Sequence, residues 1–329
     1  MIKIGTSDTT IYAGDDVVKY IYVGTTQVYS NDTPTPPTPT PSGTSVPFTV
    51  EVLSGGTWYL GEDETNSVIM DMEYQINGGE WISGGYFDEE TGEYICVTAI
   101  TFNAGDTIAF RGNELGGICQ EIENFISPES QYGGLTVPYN VYGNIMSLYA
   151  YDFSGFTVMN DYNYANFYRM FSGDEYNNPN VYLMDASELL LPATTLLYGC
   201  YEGMFANCVN ITSAPELPAT TLAERCYYGM FQGCTSITTA PDLLAEQFED
   251  YCYNAMFYNC KNLNSIKIAT YDLSNCSDCP VYSMLEMVAQ NGVIYVTQDA
   301  YTVLTNDMID DYDYELLPEG WTYSIYNEE

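Results

Sequence analysis

Histidine does not occur in this 329-residue chain. Its absence excludes Ser-His-Asp and Cys-His nucleophile systems and the common zinc sites built on imidazole. Cations are scarce: Lys3, Lys19, Arg111, Arg169, Arg225, Lys261 and Lys267 face 45 acidic residues, for a net charge of −38. Such a charge repels phosphate backbones and anionic lipid, which argues against nucleic-acid and membrane-surface partners. No lysine follows a glycine, so there is no Walker-type phosphate loop. No apolar run is long enough to span a bilayer, so membrane insertion is not expected. Met1-Ile2-Lys3-Ile4-Gly5-Thr6-Ser7-Asp8 carries no apolar h-region, which predicts synthesis in a cytoplasm without a standard export signal. Asp311-Tyr312-Asp313-Tyr314-Glu315 has the acidic spacing of a calcium loop, but Leu316 stands where an EF-hand requires glycine.

What is present is apolar mass and tyrosine. Hydrophobic residues make up 46% of the chain, enough for sizeable cores, and the length suits two or three domains. The 33 tyrosines combine a flat apolar ring with a polar tip, which serves contact surfaces and also fills repeat cores.

Ten cysteines would suit a disulfide framework, but their spacing points elsewhere. Aligned with itself, the chain repeats every 26 residues: Cys200, Cys226 and Cys252, then Met204, Met230 and Met256 with Phe205, Phe231 and Phe257, then Cys208, Cys234 and Cys260. Ile211, Ile237 and Leu263 follow, and Leu196, Leu222 and Phe248 precede. Apolar residues four apart predict one face of a short helix in each unit. A brief strand then follows, as in Ser236-Ile237-Thr238-Thr239-Ala240-Pro241, with Ile237 and Ala240 inward and proline ending it. Each unit would be stable only when stacked.

The cysteines recur at one place per unit, so they read as ladders of small buried residues rather than disulfides or metal ligands. Cys276-Ser277-Asp278-Cys279 is a C-x-x-C without a second pair or a neighbouring base, a weak metal or redox signal. Phe167-Tyr168-Arg169-Met170-Phe171-Ser172-Gly173 repeats the motif upstream and Met284-Leu285 repeats it downstream, as degenerate end units. Gly292-Val293-Ile294-Tyr295-Val296 and the stretch from Leu317 to Tyr323 read as closing strands.

Leu191-Pro192-Ala193-Thr194-Thr195-Leu196, Leu217-Pro218-Ala219-Thr220-Thr221-Leu222 and the stretch Cys226-Tyr227-Tyr228-Gly229-Met230-Phe231-Gln232-Gly233-Cys234 resemble the BspA-type leucine-rich-repeat proteins of gut Bacteroidetes and their phages. Leu317-Pro318-Glu319-Gly320-Trp321-Thr322 resembles that family's C-terminal cap, whereas Leu244-Ala245-Glu246-Gln247-Phe248 departs from the Pro-Ala-Thr-Thr-Leu phrase. The resemblance implies a leucine-rich-repeat solenoid over residues 144–329, with adhesion or recognition as its role and no catalytic residues.

Residues 33–41 are a Thr/Pro run, a semi-rigid polyproline spacer of roughly 28 Å. The spacer region, 31–44, sets off residues 1–30 as an N-terminal β anchoring module. Three strands are expected there, around Ile2/Ile4, Ile11/Tyr12 and Tyr20-Ile21-Tyr22-Val23. Thirty residues bury too little to stand alone, so the module should fold against a partner or copies of itself. It resembles the opening segment of gut-phage structural proteins. Residues 45–143 read as an antiparallel, immunoglobulin-like β-sandwich, from the alternation in Phe48–Leu53 and a hairpin signal at Gly78-Gly79. Glu62-Asp63-Glu64 and Asp88-Glu89-Glu90 fall in its loops, as solvated negative surface or as divalent-cation ligands.

The expected fold is thus mixed and mainly β. The expected function is that of a non-enzymatic phage virion component, a head or tail fibre. Residues 1–30 would bind other virion proteins, the solenoid would bind a host-surface glycan or protein, and the chain would form a homo-oligomer. A bacterial cell-surface adhesin is the alternative, and a two-carboxylate glycosidase has no local motif to support it. No cofactor or metal is expected. The candidate binding row is Thr212 with Ser213, Thr238 with Thr239, and Asn264 with Ser265, with Tyr228 at its margin. The same polarity would follow from exposure alone.

Overall fold

The computed structural model describes residues 20–23, 26–30, 45–63, 66–67, 72–88, 90, 93–112, 125–128, 134–149, 152–153, 167–174, 178–270, 272, 274–277, 280–305 and 316–326. Met1–Gly43 and Thr44–Glu329 form two separate compact units. In the first, β1 (Tyr20–Val23) and β2 (Thr26–Ser30) make an antiparallel hairpin with Tyr20 opposite Ser30. The strands expected at Ile2/Ile4 and Ile11/Tyr12, and the spacer, lie outside the described residues.

The second unit is mainly β with few helices. Its first part runs β3 (Phe48–Val52), β4 (Gly56–Tyr59), β5 (Gly61–Asp63), β6 (Asn66–Ser67), β7 (Met72–Ile76), β8 (Ile82–Ser83), β9 (Gly85–Asp88), β10 (Glu93–Cys96), β11 (Ala99–Phe102) and β12 (Thr107–Gly112). β13 (Tyr139–Asn144) and β14 (Leu183–Leu190) complete a six-stranded sheet in the order β14-β13-β3-β12-β7-β8. Phe48, Val50, Val52, Ile108 and Phe110 point to one face and are fully buried, as the period of two requires. The antiparallel β4–β11 pair covers that face: Trp58 meets Phe110 edge-on at 5.6 Å and Phe125 at 5.3 Å. Each such aromatic removes 150–250 Å² from water, on the order of 2–3 kcal/mol or more. The turn after β7 centres on Asn77 and Gly78, at φ 54° and 67°, rather than on Gly78 and Gly79. The reason is that a two-residue hairpin turn of this hand needs two left-handed residues, and Asn-Gly supplies them.

The boundary expected at residue 144 falls at the end of β13, which pairs in parallel with β14. One core runs through the junction. Phe48 lies 6.2 Å from Phe171, and Ser127 Oγ donates to the Ser172 carbonyl at 2.6 Å. Buried Asn180 locks the corner. Its amide donates to the Phe171 carbonyl and to the Tyr139 hydroxyl, and its oxygen accepts from the Tyr182 and Leu183 amides.

From Phe167 onward the units stack, and the expected short helices are not there. Each apolar segment is instead a string of turns. Cys200, Glu202, Met204, Ala206 and Cys208 donate their amides to carbonyls three residues back, at 2.9–3.3 Å. The amides between them, of Gly199, Tyr201, Gly203, Phe205 and Asn207, donate to Glu224, Cys226, Tyr228, Met230 and Gln232 of the next unit, at 2.6–3.1 Å. The cause is a left-handed residue at every fourth position: Gly199, Gly203 and Asn207, then Arg225, Gly229 and Gly233, then Tyr251, Ala255 and Asn259. A left-handed residue breaks the i→i−4 ladder, and it turns alternate N–H groups sideways to the neighbouring unit. The same pattern joins the Phe167–Gly173 unit to the Gly199–Asn207 unit, and Tyr253–Asn259 to Pro280–Glu286.

Side chains follow the backbone register. Phe171, Phe205, Phe231 and Phe257 form one ring stack with centroids 5.1, 5.3 and 5.6 Å apart. Phe167, Tyr201, Tyr227 and Tyr253 form a second at 5.7, 5.8 and 5.8 Å. The far end carries a parallel sheet of β15 (Ser265–Ile268), β16 (Gly292–Val296) and β17 (Trp321–Ile325), with α1 (Gln298–Thr305) between the last two. The closing strand expected at Gly292–Val296 is present, the one expected over Leu317–Tyr323 starts only at Trp321 and runs to Ile325, and α1 was not legible in the sequence. No helix among the described residues is long and apolar enough to cross a membrane.

Candidate functional site

Thiols are the most reactive groups the repeat contains. Cys200, Cys208, Cys226, Cys234, Cys252 and Cys260 are all free and fully buried. Cys208, Cys234 and Cys260 donate their thiols to the carbonyls of Phe171, Phe205 and Phe231, at 3.0–3.2 Å. Burial pushes the Cys200 and Cys260 thiols up to about 12 and raises the other four. A protonated, enclosed thiol is neither a nucleophile nor a metal ligand, so the ladders act as packing and hydrogen-bonding elements. Among the described residues no three histidine, cysteine or carboxylate side chains gather to hold a metal ion. The Asp311–Glu315 stretch, Glu64, Glu89 and Cys279 lie outside the described residues.

The side on which each unit is expected to carry a strand holds the polar row, but only β15, from Ser265, is a strand there. Thr239 makes an isolated bridge and Thr212–Ser213 is irregular, because Pro215 and Pro241 cut the extended runs short. Ile211, Ile237 and Leu263 are fully buried, while Thr212, Ser213, Thr238, Thr239 and Asn264 are exposed and Ser265 is half-buried. Thr239 and Ser265 form a parallel bridge, and the Asn264 amide donates to the Thr238 carbonyl at 2.9 Å. Thr238/Thr239 and Asn264/Ser265 are therefore in register on adjacent units. None of the six side chains has a hydrogen-bond partner among the described residues. Next to the row lies an open depression lined by Pro215, Leu217, Pro241 and Leu244, with the Lys267–Asp242 ion pair (2.7 Å) nearby.

Tyr228 is not at the margin of that row. It lies on the turn-bearing side and lines a depression of about 250 Å³ with Tyr168, Arg169, Asp174, Glu202 and Gln232. None of the other six candidate residues lines it. The floor is the backbone of Gly203 and Gly229, left-handed at φ 62° and 56°, where glycine is the least strained residue and leaves the surface open. Arg225 braces one wall. Its guanidinium covers the Tyr228 ring at 4.1 Å and binds Glu202 through two nitrogens, at 3.1 and 2.7 Å. This pair is partly buried and bidentate, the geometry in which an ion pair fixes two side chains rather than merely neutralising them. Reading the helix as regular hid this site, since it scattered these positions around a cylinder. The available signal was the placement of arginine: of Arg111, Arg169 and Arg225, two fall in the repeat.

The chain matches no family model, no curated protein and no solved structure.

Proposed function

We propose that the protein is a non-enzymatic virion component, a head or tail fibre, that displays a leucine-rich-repeat solenoid for recognition of a host surface. In this reading residues 144–329 are the solenoid, residues 45–143 an immunoglobulin-like sandwich, and residues 1–30 the anchor that binds other virion proteins in a homo-oligomer. The observation that carries the reading is the row on the strand-bearing side. Short polar side chains recur on successive units, in register for Thr239 and Ser265, with no protein partner among the described residues. A lattice of that kind suits a repetitive polar ligand, a cell-surface glycan or an extended protein segment. Each contact contributes only about 1 kcal/mol, so useful affinity comes from many copies on one particle. Met1–Gly43 is a compact unit of its own that includes the Thr/Pro run at its C-terminal end, which supports an anchor distinct from the display region.

Mass spectrometry of purified particles, paired with an attachment assay, tests this. The protein is expected in the particle, and particles bearing Thr212→Lys, Thr238→Lys and Asn264→Lys together should assemble but attach poorly. All three side chains point outward, so folding should survive. Presence in a bacterial envelope and absence from particles would favour a cell-surface adhesin. Normal attachment by a folded triple variant would remove the row from the recognition surface.

A further inference from the structure

We propose that the depression on the turn-bearing side, between Tyr168 and Tyr228, binds a neutral saccharide, about one sugar ring deep. The inference rests on the recognition role above and places a second, concave contact on the opposite kind of surface from the polar row.

Three observations converge on this ligand class. The first is unused hydrogen-bonding capacity. The hydroxyls of Tyr168 and Tyr228 and the side-chain amide of Gln232 have no hydrogen-bond partner among the described residues, yet all three line one depression. Glu202 adds a carboxylate whose orientation the two bonds from Arg225 fix. An amide and a carboxylate are planar donor and acceptor groups that match pairs of adjacent hydroxyls, and the tyrosine rings offer flat apolar faces to sugar C–H groups.

The second observation is charge. In a chain of net charge −38, two of the three arginines stand at this depression, Arg169 in its wall and Arg225 behind it. They offset Asp174 and Glu202, so the site is locally neutral inside a strongly negative protein. A cationic ligand would need exposed carboxylate, and an anion would need excess arginine; a polyol needs neither.

The third is preorganisation. Arg225 holds Tyr228 and Glu202 together, and Gly203 and Gly229 keep the floor clear: a Cβ on Gly203 would come 3.0 Å from Arg169 Cγ. Little ordering remains to be done on binding. At about 250 Å³ and open to solvent, the depression suits weak, repeated contacts rather than one tight one.

Saturation-transfer NMR on the full chain decides this, with glucose, galactose, mannose, N-acetylglucosamine and their β-1,4-linked disaccharides as probes. At least one should receive saturation from the wild-type protein. Tyr228→Phe, which keeps the ring, and Gln232→Ala should each weaken binding about tenfold, the loss of one or two hydrogen bonds. The Thr212, Thr238 and Asn264 triple variant should bind as wild type. Silence from every sugar, equal binding by Tyr228→Phe and Gln232→Ala, or a strong preference for galacturonate or glucosamine would overturn the proposal. Loss of particle attachment in the triple variant without sugar binding would keep the recognition role and sink this site. Sugar binding by a protein absent from particles would keep the site and sink the virion role.

Discussion

The ring of Phe205 lies 5.3 Å from that of Phe231, with the two planes 1° apart. Residues 26 apart in sequence are thus neighbours in a continuous stack that fixes the spacing of the units. An interior member contacts rings on both sides, so Phe231→Ala should cost about 3–5 kcal/mol. Phe231→Leu should cost clearly less, because it leaves less of a void. Urea midpoints of the two variants check the order. Equal losses would mean that the ring itself, rather than the volume it fills, carries the stabilisation.

The left-handed positions give a prediction of opposite signs. Gly229 (φ 56°) and Ala255 (φ 53°) occupy the same place in adjacent units. Gly229→Ala should destabilise by about 1–2 kcal/mol, the cost of a left-handed alanine. Ala255→Gly should stabilise by roughly 0.5–1 kcal/mol, after allowing for the greater entropy of unfolded glycine. Thermal or urea unfolding reads both; a loss for Ala255→Gly would contradict the backbone assignment.

The thiols should be present but silent. In native protein the six ladder cysteines should resist a thiol reagent, while Cys276, which is only half-buried, reacts. In denaturant without reductant they should all titrate. Few free thiols under that condition would mean that the ladders contain disulfides.

Alkali should unfold the protein steeply. Thiols ionise near 8.5 in an unfolded chain, whereas burial pushes Cys200 and Cys260 up to about 12 and raises the other four ladder thiols. The folded state therefore holds protons that the unfolded state releases. The resulting stability is fully present below about pH 8.5 and is lost as pH rises toward 12, by ~1.4 kcal/mol per pH unit for each such group. Buried Tyr139, Tyr201, Tyr227 and Tyr253, also raised by burial, add to the loss above about pH 10. Urea midpoints between pH 8 and 11 measure the slope. Cys234→Ala should lower stability yet flatten that slope, and an unchanged slope would exclude the thiols as its source.

The repeat and its inward residues were legible because the periodicity is visible without any structural assumption. Cys200, Met204, Phe205, Cys208 and Ile211 were expected inside, and all five are buried. The local conformation was not legible. Apolar residues four apart fit a 3.6-residue helix and a four-residue string of turns almost equally well over nine residues. Glycine separates the two, at Gly199/Gly203 and Gly229/Gly233, where a helix interior would disfavour it. The outward placement of Thr212, Thr238 and Asn264 followed from the same pattern. The position of Tyr228 did not, because its neighbours Tyr168 and Glu202 come from other units at unequal sequence distances. The parallel β13–β14 pair was likewise hidden: it joins residues more than forty apart across a stretch with no periodic signal.

Alternating amides also decide how the molecule comes apart. Since every second N–H of a turn segment reaches only the adjoining unit, cooperativity passes between nearest neighbours and no bond of this kind skips a unit. The energetics are those of a one-dimensional chain, in which interior members are held from two sides and terminal ones from one. Opening should then spread inward as fraying, from the end near β17 where no large sheet abuts, while the end fused to β14 stays closed longest. Hydrogen exchange along the stack would record that gradient as amide lifetimes that lengthen from Ala255 toward Phe171.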